Sequence, residues 1–172
     1  MRWLLPLLCL TLSLNAIAST TPATSQQTVD KVLVLKSERK LHLQQRGETI
    51  KSYRISLGKQ PNGAKQREGD LRTPEGFYWI DWRKPSDKYQ LSLHISYPNA
   101  SDTAQAKARG VSAGGDVMIH GSSNLPQGKP QQALYDYLPR EDWTHGCVAV
   151  SNQDMDELWA NVKNGTKIRI YP

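Results

Sequence analysis

Short segments with the spacing of β-strands recur along the chain from residue 29 onward. Some alternate between apolar and polar residues, which is typical of a strand with one buried face, and others are short apolar runs, which are typical of a fully buried strand. Glycine, proline and charged residues separate them. These segments span residues 31–36, 40–44, 50–57, 77–82, 91–97, 116–119, 147–150 and 166–171. The pattern predicts a mostly β domain of short, mainly antiparallel strands arranged as a sandwich or barrel.

One segment near the C-terminal end has a helical period instead. Met155, Leu158 and Val162 recur at spacings that place them on one face of a helix. Ser151 or Asn152 would cap the start of this segment, and an Asn-Gly pair at 164–165 would end it. We therefore predict one C-terminal helix, and the alanine-rich stretch 100–108 could form one or two helical turns.

The first 28 residues follow neither pattern. A positive charge at Arg2 precedes a leucine-rich apolar stretch over residues 4–14, and Ala-Ile-Ala at 16–18 offers the small residues of a cleavage site. This predicts a secretory signal peptide over 1–18, with a retained anchor as the alternative, then a flexible lead-in over 19–28 and a single domain over 29–172. We expect an exported, periplasmic protein with no stable membrane insertion after cleavage, because the apolar stretch is too short to span a bilayer.

Composition narrows the function classes. The chain has 172 residues, 38% of them hydrophobic and 22% charged, which excludes a disordered polyelectrolyte and a multi-span membrane protein. The formal net charge is +6, but the basic residues are scattered and form no nucleic-acid-binding arm. The charge therefore indicates either a solvated basic surface or an acidic partner, such as a peptidoglycan stem peptide.

One cysteine stands out once the expected signal peptide is removed. Cys9 leaves with that segment, so Cys147 would be the only thiol of an exported chain, in a compartment where cysteines normally pair. His145 and Gly146 directly precede it, and a second histidine, His120, ends an apolar strand segment. A neighbouring histidine favours the reactive thiolate, and backbone N–H groups beside a glycine can face a developing oxyanion. The pattern indicates nucleophilic catalysis by Cys147.

These residues resemble the catalytic motif of the YkuD-type L,D-transpeptidases, which is a histidine, a spacer and then Ser/Thr-His-Gly-Cys. Here the motif reads His120 followed, after a long connection, by Thr144-His145-Gly146-Cys147. The resemblance extends over residues 29–172. It is closest to the small YafK-like branch, whose Gly-Asp-x-Arg-Thr-Pro-Glu-Gly and Ser-Tyr-Pro-Asn segments match residues 69–76 and 96–99.

The resemblance implies a role for each motif residue. Cys147 would be the nucleophile and His120 the general base, with the Gly121 carbonyl holding the other ring nitrogen of the imidazole. His145 would orient the substrate or favour the thiolate. The amides of Gly146 and Cys147 would form much of the oxyanion hole. No metal or other cofactor is implied.

The implied substrate is a peptidoglycan tetrapeptide stem. The thiolate would attack the carbonyl of an L-centre, usually that of meso-diaminopimelate, and expel D-Ala. The resulting thioester would pass to an amine, giving a cross-link or the attachment of a lipoprotein to the wall, or to water, giving an L,D-carboxypeptidase or an amidase that releases wall-linked protein. Candidate substrate contacts are Arg72, which could instead form a turn salt bridge with Asp70, together with Thr144 and Trp143, which could instead pack in the core.

Two other function classes, a zinc peptidase and a non-catalytic binding module, fit the sequence less well. A zinc peptidase could use imidazole and thiolate ligands, but the chain has no HExxH motif and no paired CxxC. Its candidate ligands would be His94, His120, His145 and Cys147. A non-catalytic cell-wall binding module would have no need of a thiol at position 147.

Overall fold

The computed structural model describes residues 28–122 and 141–172. The expected signal peptide, nearly all of the lead-in, and residues 123–140 of the long connection after His120 lie outside this part of the chain. The described residues form two helices, α1 (Ala100–Ala108) and α2 (Asn152–Asn161). The strands are β1 (Lys31–Leu35), β2 (Lys40–Gln45), β3 (Glu48–Arg54), β4 (Gly76–Ser86), β5 (Gln90–Ile95), β6 (Met118–His120), β7 (Val148–Ala149) and β8 (Lys167–Tyr171).

The strands form one eight-stranded sheet in the order β3-β2-β1-β8-β4-β5-β6-β7. All neighbours are antiparallel except β1 with β8 and β6 with β7, which are parallel. Ser56, just after β3, exchanges two backbone hydrogen bonds of 2.9 Å with Ala149 of β7. Because β3 and β7 are the two edges of the sheet, this pairing closes it into a barrel-like form. The prediction of a mostly β fold with mainly antiparallel strands is confirmed.

The core lies on the inner face of this closed sheet. Side chains alternate along β1, so that Val32 and Val34 are fully buried while their neighbours are not. Helix α2 packs against β5 and adds Met155 and Leu158 to the core. The hydroxyl of Ser151 accepts a hydrogen bond from the Asp154 amide, so the predicted N-cap and apolar face of this helix are confirmed. Neither helix is long and apolar enough to cross a membrane.

Helix α1 covers the stretch in which one or two helical turns were predicted. Its nine residues amount to about two and a half turns. Its only buried residue is Ala106, so it lacks the apolar face that identifies a helix in a sequence. Its start is fixed instead by a capping box, in which Asn99 and Asp102 each accept a hydrogen bond from the other's amide. The Tyr78 hydroxyl donates to Asp102 as well, at 2.9 Å, and ties the helix to β4.

Two buried lysines hold the long segment between β3 and β4. The Lys36 side chain is 2% exposed and donates to the Gly63 and Thr73 carbonyls and to Glu75. The Lys65 side chain is 5% exposed and pairs with Asp70 at 2.8 Å. The interpretation of the scattered basic residues as a solvated surface is therefore wrong for these two. Each ammonium ties the segment together by ionic and backbone hydrogen bonds.

Candidate active site

The pairing of β6 with β7 brings His120 and Cys147 to the same side of the sheet. Ile119 lies opposite Val148 and His120 opposite Ala149. Ile119 and Val148 are fully buried on the core face. Since side chains alternate along a strand, His120 points to the other face, and Cys147, one residue before Val148, shares that face. Two residues from distant parts of the sequence thus come to one face of a parallel strand pair.

His120 is buried and held in one orientation. Its Nδ1 lies 2.6 Å from the Gly121 carbonyl oxygen, which requires Nδ1 to carry the proton and leaves Nε2 as the nitrogen able to accept one. The Tyr89 ring stacks on the imidazole at a centroid distance of 4.1 Å, and Trp143 contacts it edge-on at 5.7 Å. Burial lowers the pKa of His120 to about 4, against the opposing effect of the Gly121 carbonyl. The ring is therefore neutral at neutral pH.

Gly121 permits a close approach behind the imidazole. A Cβ added there would stand 2.4 Å from Asn152 Oδ1 and 3.0 Å from the Tyr89 carbonyl oxygen. Asn152 is the first residue of α2, and its side chain also accepts a hydrogen bond from Ser122. A larger residue would push away the carbonyl that holds His120, so only glycine fits this position.

The Cys147 thiol is half-buried and faces polar backbone. Its Sγ lies 3.7 Å from the Asp116 carbonyl oxygen. Burial raises the pKa of the thiol, while a hydrogen bond from the Met118 amide and the positive charge of Lys65 act in the opposite direction. At neutral pH, burial therefore favours a neutral thiol at Cys147 and a neutral imidazole at His120.

The turn before Cys147 is held by Thr144. The Thr144 hydroxyl donates to the Cys147 carbonyl at 2.8 Å and accepts from the Gly146 amide at 3.1 Å. Gly146 has φ +134° and lies against the Arg72 carbonyl, which only a glycine allows. The Gly146 amide, which is predicted to line the oxyanion hole, is thus engaged within the turn. Thr144, one of the candidate substrate contacts, is buried, and its hydroxyl is engaged in this turn.

The remaining sequence candidates lie in different surroundings. His145 is exposed, whereas Trp143 is half-buried against His120 and Tyr89. The alternative of a turn salt bridge between Arg72 and Asp70 is wrong, because Asp70 pairs with Lys65 and receives only the backbone amide of Arg72. Arg72 is half-buried beside a polar cavity of about 420 Å³.

Sequence reasoning missed Tyr89 and Lys65. Tyr89 lies in the turn between β4 and β5 and reaches His120 only because β5 pairs with β6. Lys65 comes next to Gly146 because the segment before β4 folds back on the catalytic turn. Neither residue carries a local pattern in the sequence that could have revealed this contact.

The hypothetical zinc ligands do not assemble in the described part of the chain. Within residues 28–122 and 141–172, no group of three or more histidine, cysteine or acidic side chains comes together that could hold a metal ion. His94 instead lies 2.6 Å from Asp81 and stacks on Trp82.

Comparison with known sequences identifies related proteins. A sequence model of the YkuD family, described as the L,D-transpeptidase catalytic domain, matches residues 30–170. The chain is 29% identical over 178 residues to YafK of Escherichia coli (strain K12), whose assignment as an L,D-transpeptidase is itself provisional. This match covers 92% of the chain and 63% of YafK, so the chain spans less than two-thirds of that relative.

Solved structures share the fold. Pgp2, the helical cell shape determining protein from Campylobacter jejuni, matches with a TM-score of 0.61 and 21% identity, over 86% of this chain and 51% of Pgp2. An L,D-transpeptidase (residues 123–326) from Xylanimonas cellulosilytica DSM 15894 matches with a TM-score of 0.52 and 19% identity, over 90% of this chain and 66% of that one. At these identities the likeness establishes the fold alone.

Proposed function

The chain belongs to the YkuD family of L,D-transpeptidase catalytic domains, and from this premise we propose that it is an exported, periplasmic acyltransferase that acts on peptidoglycan stem peptides through a Cys147 thioester. One observation carries the proposal. The register of β6 and β7 supports it, because alternation along the strands gives His120 and Cys147 the same face, and the Gly121 carbonyl leaves Nε2 of His120 able to accept a proton. A cysteine nucleophile needs a neutral imidazole that can accept the proton of its thiol.

The first half-reaction forms the thioester. As Sγ of Cys147 attacks the carbonyl carbon of the stem peptide, its proton passes to Nε2 of His120, and the carbonyl oxygen becomes an oxyanion facing the Cys147 amide. The intermediate collapses, the C–N bond to D-Ala breaks, and the leaving amine takes the proton from His120. The Gly121 carbonyl stabilises the imidazolium that exists between these two steps.

The second half-reaction decides the product. An acceptor amine loses a proton to His120 and attacks the thioester, so a new amide bond forms and the Cys147 thiol is restored. If the acceptor lies on another stem, the product is a cross-link, and if it lies on a lipoprotein, the product is a wall attachment. If water accepts the acyl group, the outcome is hydrolysis, and the enzyme acts as a carboxypeptidase or an amidase.

Substrate binding is proposed for the surface around the catalytic turn. The stem peptides carry several carboxylates, and the net charge of +6 favours such partners. Arg72 is the candidate for holding one of them, because its guanidinium could form two parallel hydrogen bonds to a carboxylate. His145 is exposed beside Cys147 and is proposed to contact the bound stem. Trp143, half-buried against His120, is proposed as an apolar side of the substrate site.

The test is incubation with purified muropeptides, followed by mass spectrometry of the products. We expect a tetrapeptide stem to lose D-Ala and to appear either as a cross-linked dimer or as a tripeptide, which separates transfer from hydrolysis. Cys147→Ala is the matched control and should give neither product. Turnover that survives in Cys147→Ala, or none in the wild type with any stem peptide, would contradict the proposal.

A carbapenem tests the nucleophile without a natural substrate. Its strained amide carbonyl should enter the same oxyanion site and acylate Cys147. Because the sequence also contains Cys9, the adduct must be mapped to a peptide rather than read from the intact mass alone. We expect the label at Cys147 and its loss in Cys147→Ala, and a label that persists in that variant would point to a serine or lysine nucleophile.

A further inference from the structure

A buried positive charge lies beside the turn that carries Cys147. The Lys65 side chain is 5% exposed, and its ammonium is 2.8 Å from Asp70 Oδ1 and 3.1 Å from the Arg67 carbonyl oxygen. A Cβ built on Gly146 would stand 3.9 Å from Lys65 Nζ. The ammonium therefore packs against the residue directly before the nucleophile, where water screens its charge weakly.

Few other groups can favour a thiolate at this position. His120 is neutral above about pH 4, because burial lowers its pKa, so it brings no positive charge to the resting site. Lys88 also acts on the thiol, but it is exposed and salt screens it. Asp116 is an acid and acts against the thiolate. Among the described residues, Lys65 is thus the buried cation that bears on Cys147.

Asp70 both holds the Lys65 ammonium in place and reduces the effect of its positive charge. Its two carboxylate oxygens accept hydrogen bonds from Lys65 and from the backbone amides of Gln66, Arg67 and Arg72. The carboxylate therefore fixes the loop, and its negative charge partly cancels that of Lys65. If the ion pair only supports the loop, loss of Lys65 and loss of Asp70 should affect Cys147 alike. If the ammonium acts through its charge, loss of Lys65 should disfavour the thiolate, whereas loss of Asp70 should not.

We propose that Lys65 is a positioning residue for the reaction, with a buried ammonium that favours the thiolate form of Cys147 while Asp70 moderates this effect. The inference rests on the proposed role of Cys147 as the nucleophile. It assigns a function to a residue that lies 82 positions before Cys147 in the sequence and outside the His-Gly-Cys motif.

The test is the pH dependence of alkylation of Cys147 by iodoacetamide, read on the Cys147 peptide by mass spectrometry in the full chain. Only the thiolate reacts, so the rate reports its fraction without any substrate. We expect Lys65→Met to slow alkylation roughly tenfold at neutral pH and to move the profile to higher pH. Lys65→Arg keeps the charge and should stay near the wild-type profile. Asp70→Asn should react at least as fast as the wild type, because it removes the opposing negative charge.

Two controls separate this charge from the general surface charge. Lys59→Met removes an exposed lysine of the same segment and should leave the profile unchanged. Lys88→Met should have a small effect that disappears at about 0.5 M salt, whereas the effect of Lys65→Met should persist, since salt screens buried charges much less. Circular dichroism and thermal unfolding establish that each variant is folded.

An electrostatic role and a purely structural role of the ion pair predict different effects of Lys65→Met and Asp70→Asn on the alkylation rate. If Lys65→Met and Asp70→Asn slow alkylation alike, the pair only supports the loop and the inference is overturned. An unchanged profile in Lys65→Met overturns it too. If Lys65→Met fails to fold, Lys65→Arg and Asp70→Asn still decide, because a loss of reactivity in both contradicts an electrostatic role. Alkylation needs no turnover, so failure of the muropeptide assay would remove the proposed function and leave this measurement intact.

Discussion

Burial sets the pH range over which His120 can act as a base. An exposed histidine would lose its basic form below about pH 6.5, whereas the pKa of His120 is lowered to about 4. We therefore expect the acid limb of kcat/KM to fall near pH 4–5 rather than near 6.5. The measurement is the rate of muropeptide turnover against pH.

Acid unfolding is the necessary control for that profile. Because the unfolded histidine takes up a proton near pH 6.5 and the folded one only near pH 4, the free energy of unfolding should decrease as the pH falls through this window. Circular dichroism at each pH separates this loss of folded protein from protonation of the base. An acid limb near pH 6.5 in fully folded protein would contradict the assignment of His120.

The two histidines of the motif should differ sharply in their effect on the rate. His120 is buried and held by the Gly121 carbonyl, whereas His145 is exposed. Loss of a general base typically costs 10²–10⁴-fold, so we expect His120→Ala to lower kcat by about that factor and His145→Ala to act mainly on KM. If His145→Ala proves the more damaging to kcat, their roles should be exchanged.

At the scale of elements, the segment between β3 and β4 depends on Lys36. Lys36→Met would leave the Glu75 carboxylate and the Gly63 and Thr73 carbonyls without their donor. We expect a loss of about 2–4 kcal/mol in the free energy of unfolding, measured by chemical denaturation. Lys40→Met is the matched control, because Lys40 pairs with Glu38 at half-exposed positions, and it should change stability by no more than about 0.5 kcal/mol. Equal losses in the two variants would show that burial of Lys36 does not matter.

The sequence predicts individual strands and helices better than it predicts the contacts between them. Strands with a clear period, such as β1 and β8, and the apolar face of α2 are local patterns, so they could be found without a structure. The helix α1 has a weaker signal in the sequence, because a capping box and one buried alanine hold it, rather than a stripe of apolar residues. The candidate site shows the same difference between local patterns and contacts of distant segments. The His-Gly-Cys motif is local, whereas Tyr89 and Lys65 reach it only through pairing of distant segments.

At the scale of the whole molecule, closure of the sheet and the position of Cys147, the proposed nucleophile, depend on the same backbone contacts. Ser56 and Ala149 exchange two hydrogen bonds of 2.9 Å, and Ala149 lies two residues after Cys147. The same two segments meet again where the Thr144 amide donates to the Leu57 carbonyl at 3.1 Å. The segment after β3 therefore holds both ends of the catalytic turn, and weakening it should disturb stability and catalysis together.

Ser56→Pro tests this dependence. Proline has no backbone N–H, so the Ala149 carbonyl would lose its donor in a buried part of the sheet. We expect a loss of about 2–3 kcal/mol in the free energy of unfolding beyond that of Ser56→Ala, which keeps the N–H and removes only the hydroxyl. Muropeptide turnover by the folded Ser56→Pro fraction should also fall, since the strand that follows Cys147 is no longer held on this side. Denaturant titration and turnover measured on the same samples decide the matter: stability and activity of Ser56→Pro equal to those of Ser56→Ala would mean that the barrel closes, and the nucleophile stays in place, without this contact.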